Sequence, residues 1–80
     1  MLNNAIIKMK DNQGYFMLGK NIKKIRQKRK LTQDKLARLA DVPYTSLTKI
    51  ETGVIKRPSV QVVVKIARAL NITIEELVNE

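Results

Sequence analysis

Apolar residues recur along most of this chain at helical rather than strand spacing. Leu18, Ile22 and Ile25 fall at i, i+4 and i+7 and predict a first helix over about Gly19 to Arg29, with Lys and Arg on its other face. Thr32 is a good N-cap and Asp34 suits the dipole of the first turn, so a second helix is predicted to end near Ala40, with Leu36, Ala37 and Ala40 facing inward. Asp41, Val42 and Pro43 make the turn that follows. Aspartate tolerates left-handed backbone, and proline lacks an N–H that the start of a helix leaves unused. A third helix is predicted from Pro43 to Thr52, closed by Gly53. Ser59 caps a fourth, running to about Leu70. Val60, Val63, Val64, Ile66, Ala67 and Leu70 should make it the most buried element. Asn71 is the expected left-handed cap, and Thr73-Ile74-Glu75-Glu76 is a capping box opening a short fifth helix that carries Leu77 and Val78.

The start of the chain reads differently. Ala5 to Lys10 is strand-like, Asp11 to Gly14 is turn-like, and Tyr15 to Leu18 reads as a return strand. A lone two-stranded hairpin is barely stable in water. Residues 1–17 are therefore expected to form an N-terminal extension, a flexible arm or a marginal β-hairpin, ahead of one domain over residues 18–80. Met17 is also a candidate translation start.

Composition sharpens the fold class. Aromatic residues are only 4% against 44% hydrophobic, so the core must be built from Leu, Ile, Val, Ala and Met, which favours an all-α bundle. Without cysteine or histidine there is no disulfide framework, no thiolate metal site, and neither the commonest general base nor the commonest zinc ligand. No phosphate-cradling Gly-rich loop or isolated carboxylate pair is present, so no enzyme, metal or cofactor is expected. No apolar run approaches the roughly 18 residues of a membrane span, and the N-terminus lacks a signal-peptide pattern. These features point to the cytoplasm.

Charge changes the picture more. The net charge is +9, unevenly placed. Lys20, Lys23, Lys24, Arg26, Lys28, Arg29 and Lys30 crowd one stretch without an acid, whereas Asn71 to Glu80 holds three acids and no base. One end of the domain should attract a polyanion and the other should not.

The third helix supplies the matching chemistry. At about 100° per residue, Leu47 and Ile50 lie on one side, while Tyr44, Thr45, Thr48, Lys49 and Thr52 share the other. That second face is rich in hydrogen-bonding groups and carries no negative charge. Lys49 can donate to guanine O6 and N7, threonine methyls can touch thymine methyls, and hydroxyls serve either bases or phosphates. Tyr44 can bond a phosphate, meet a base edge or pack against the turn. Lys49 has the alternatives of solvent or an ion pair with Glu51, a residue whose place at the rim of the apolar side reads as structural.

Residues 19–80 resemble the Cro/C1-type helix-turn-helix domains of phage repressors, restriction–modification controller proteins and many antitoxins. The resemblance is carried by Leu31-Thr32-Gln33, Leu36-Ala37, Ala40, Val42, Leu47, Ile50-Glu51-Thr52-Gly53, Arg57-Pro58-Ser59, Ile66-Ala67, Ala69-Leu70 and Glu76-Leu77. It covers about three quarters of the chain. It implies a compact five-helix, lambda-repressor-like DNA-binding domain with the helix-turn-helix at helices 2–3. Tyr44, Thr45, Thr48 and Lys49 of the recognition helix would then face the bases. Arg26, Gln33, Thr52, Lys56 and Arg57 would lie over phosphates, with Gln33 also bracing the recognition helix. Asp41 stands where the family often has Gly, and Pro43 where it often has Ser.

The function expected is a sequence-specific regulator of transcription on double-stranded DNA, a repressor or autoregulator, with Ile72, Ile74 and Val78 as the interface of a homodimer. The rival is an antitoxin or adaptor whose main partner is a protein. A membrane partner is not expected, because Ile22 and Ile25 are better used in the core.

Overall fold

The computed structural model describes residues 17–78. Among these residues the chain forms five helices and no strand: α1 over residues 17–28, α2 Gln33–Ala40, α3 Tyr44–Thr52, α4 Val60–Leu70 and α5 Ile74–Val78. The hairpin expected ahead of the domain falls outside the described residues, except at its end. Met17 and Leu18 are helical rather than part of a return strand, and Leu18 is buried in the core.

Local chemistry places the helix ends. The Thr32 hydroxyl accepts the Lys35 N–H at 3.0 Å and the Ser59 hydroxyl accepts the Val62 N–H at 3.3 Å, opening α2 and α4. In the capping box of α5, the Thr73 N–H donates to Glu76 Oε1 at 2.8 Å while the Glu76 N–H donates to Thr73 Oγ1 at 3.1 Å. Pro43 precedes α3 as its cap, with extended backbone and no side-chain bond.

Three C-termini close with the same pair of bonds. After α2, the Val42 N–H reaches the Ala37 carbonyl at 3.0 Å and the Asp41 N–H reaches Arg38 at 3.2 Å. Leu31 and Lys30 repeat this after α1, as do Ile72 and Asn71 after α4. The residue between helix and exit is left-handed each time: Lys30, Asp41 and Asn71 have φ of 58°, 58° and 59°. Asp41 and Asn71 match the sequence expectation; nothing local announces Lys30.

The core is aliphatic. Leu18, Ile22, Leu36, Leu47, Ile50, Ile66, Leu70 and Leu77 are essentially removed from water, each worth about 1.5–3 kcal/mol of burial. α2 packs against α3 and α4, and α4 packs against α5. Val60 departs from expectation at 66% exposed. It lies on the apolar side of α4 but in the first turn, ahead of the part that its neighbours cover.

Helix α1 is tied to the others by polar contacts as well as apolar ones. Buried Asn21 donates Nδ2–H to the Leu77 carbonyl at 2.7 Å, and Arg29 donates to the Leu70 carbonyl at the end of α4. No helix among the described residues is long and apolar enough to cross a membrane.

Candidate nucleic-acid interface

The helix-turn-helix is α2, the turn at Asp41, and α3. Small side chains at Ala37 and Ala40, both buried, let α2 approach closely. Leu47 and Ile50 anchor the back of α3, and its last turn is closed by Gly53 at φ 88°, a left-handed position that glycine takes without strain. On the outer side Tyr44 is half exposed, Thr45, Lys49 and Thr52 are exposed, and Thr48 is intermediate. The five residues assigned to this face from the sequence thus lie together, and no acidic side chain interrupts them.

Two hydroxyls there bond the carbonyls of their own helix. Thr48 Oγ1 donates to the Thr45 carbonyl at 2.9 Å and Thr52 Oγ1 donates to the Lys49 carbonyl at 3.3 Å. A hydroxyl carries one rotatable donor and two acceptor lone pairs, so each can also turn its proton outward to an acceptor such as a phosphate oxygen. Lys49 makes no hydrogen bond or ion pair among the described residues through its side chain and remains an unengaged donor on the outer face.

Behind α3 lies a polar lock. The Glu51 side chain is 1% exposed, and its carboxylate accepts from Arg26 Nε at 2.8 Å, Arg26 Nη2 at 3.1 Å and Gln33 Nε2 at 2.9 Å. Arg26 Nη1 donates to the Leu31 carbonyl at 2.7 Å. One forked guanidinium therefore connects α1, the entry to α2, and α3. No buried side-chain nitrogen or oxygen among the described residues lacks a partner.

This geometry confirms Glu51 as structural and removes it as a partner for Lys49. Gln33 braces α3 as expected. Arg26, expected over a flanking phosphate, is turned inward instead and only 8% exposed. An unpaired Glu51 carboxylate in the core would be costly, so the guanidinium is held there. Lys56 and Arg57 are exposed in the loop after α3, which is pinned by the Ile55 N–H to the Lys49 carbonyl at 3.0 Å and by buried Pro58.

The sequence reading missed Gly19. A Cβ built there would fall far inside contact distance of the Ile50 carbonyl oxygen and 3.1 Å from that of Glu51. Glycine lets the backbone of α1 rest directly on the end of α3. The available signal was a glycine at the predicted start of the first helix, in place of a residue with better helix propensity.

The family model for helix-turn-helix domains matches residues 22–77, more than half of the chain. The chain belongs to the Cro/C1-type helix-turn-helix family. No curated relative matches it. As a Cro/C1-type domain it is a DNA-binding module of transcription regulators, and double-stranded DNA is its partner. Among the described residues of this Cro/C1-type domain, no group of three acidic, His or Cys side chains is placed to hold a metal ion.

Proposed function

We propose that the protein is a sequence-specific transcriptional regulator, a repressor or autoregulator, that inserts α3 into the major groove as a homodimer. The observation that carries this is the outer face of α3. Tyr44, Thr45, Thr48 and Lys49 present donors, acceptors and methyl groups without negative charge, on a helix held from behind by Arg26, Gln33 and Gly19. Gln33, Thr52, Lys56 and Arg57 flank that face and serve the phosphates. Arg26 acts through Glu51 as a positioning residue.

One helix reads too few bases for high specificity, so two copies would read a pseudo-palindrome with recognition helices about 34 Å apart. Ile74 is the apolar residue of α5 best placed to meet a second copy, at 40% exposed; Ile72 and Val78 pack largely against the core. DNA as the partner also carries the reading of a cytoplasmic location.

The test is selection of bound duplexes from a random pool, followed by two variants. Lys49→Ala changes which sequence is preferred, whereas Lys56→Ala weakens all duplexes about equally and lowers the salt dependence. A pool that yields no enriched symmetric motif overturns the reading and directs attention to a protein partner.

A further inference from the structure

Lys30 breaks a local rule that Asp41 and Asn71 keep. All three end a helix in the left-handed region. Asp and Asn enter it readily because a short polar side chain bonds the local backbone, whereas lysine has no such help. Its conformation is imposed by the Leu31 N–H on the Arg26 carbonyl at 3.1 Å and its own N–H on Gln27 at 2.9 Å. Glycine is the residue this backbone favours. Where a chain retains a locally unfavourable residue, the side chain is a candidate for a role elsewhere.

The surroundings indicate which role. Leu31 is held at both ends by Arg26, through its N–H and through its carbonyl, and the same guanidinium grips Glu51 of α3. Lys30 is thereby seated on a rigid junction, three residues before Gln33, at the entry to α2. Its side chain is exposed and makes no hydrogen bond or ion pair among the described residues. Two other cations of the basic run are withdrawn: Arg26 onto Glu51 and Arg29 onto the Leu70 carbonyl.

We propose that Lys30 contacts a phosphate of the bound duplex beside Gln33, taking the place that burial denies to Arg26. This rests on the reading of α3 as the groove-inserted helix.

The experiment measures Kd of the full chain for its selected duplex and for a scrambled one across a salt series. It compares wild type, Lys30→Gly, Lys30→Arg and Lys28→Ala. Lys28 is a control of equal charge, about 200° around α1 from Arg26. Lys30→Gly should raise the urea midpoint while lowering the slope of log K against log salt by about 0.9 on both duplexes. Lys30→Arg and Lys28→Ala should keep the wild-type slope. A Lys30→Gly slope equal to wild type, or an equal loss in Lys28→Ala, overturns the assignment while leaving the α3 reading intact. Wild-type protein that binds neither duplex overturns both.

Discussion

Gly19→Ala sets two effects of opposite sign against each other. In a helix interior alanine is favoured over glycine by about 1 kcal/mol, so propensity alone makes the variant more stable. Packing opposes this. The added methyl group would overlap the Ile50 carbonyl oxygen and press on that of Glu51 at 3.1 Å, and both are backbone atoms that no rotamer change can move. The strain is relieved only if α1 and α3 separate, which loosens the core cluster that Leu18, Ile22 and Ile50 share and stretches the Arg26–Glu51 pair. Overpacking of this kind costs about 1–3 kcal/mol or more, and a collision with backbone belongs at the upper end. The expected result is a net loss of about 1–3 kcal/mol, from a total of roughly 4–12 kcal/mol for a chain of this length. Urea denaturation followed by far-UV circular dichroism measures it. Affinity for the selected duplex should fall further than affinity for a scrambled one, because α3 is displaced. A variant as stable as wild type, or more so, would refute the close approach of α1 to α3.

Arg26→Met should cost about 3–5 kcal/mol, because it strips a buried Glu51 of all its partners but Gln33. The double variant Arg26→Met/Glu51→Leu should recover much of that loss in the same denaturation assay; additive losses would contradict a buried pair. Substituting glycine at each left-handed cap should stabilise Lys30 most, with Asp41 and Asn71 gaining less, and the order of thermal midpoints checks it. Ile74→Lys should leave the unfolding free energy of dilute, monomeric protein within about 0.5 kcal/mol of wild type while shifting sedimentation equilibrium toward the monomer. An unchanged association constant would move the interface away from α5.

The helix-turn-helix was legible because its determinants are local. Thr32, Ser59 and the Thr73–Glu76 box cap where their chemistry says they should, and the 3.6-residue period alone separates Leu47 and Ile50 from Tyr44, Thr45 and Lys49. What escaped was set by partners distant in sequence. Arg26 reads as one more cation in a basic run until Glu51, 25 residues on, is seen behind α3. Asn21 sits among apolar positions of α1, a hint of a buried partner, yet only the fold names the Leu77 carbonyl. Val60 fits the apolar period but not the limits of its cover, because periodicity gives direction around a helix and not position along the core.

The Asn21–Leu77 bond bears on the order in which the domain comes apart. A helix of five residues cannot persist on its own, since nucleation alone outweighs its few hydrogen bonds. α5 is held by burial of Leu77 against the core, by packing on α4, by its capping box and by the Asn21 tie to α1. Its amides should therefore exchange with deuterium through a local opening that leaves Leu36 and Leu47 protected, so that α5 detaches before the rest unfolds. Asn21→Ala would speed that opening selectively. A second copy bound against Ile74 would slow it, so amide protection in α5 would rise with protein concentration and report assembly without any DNA present.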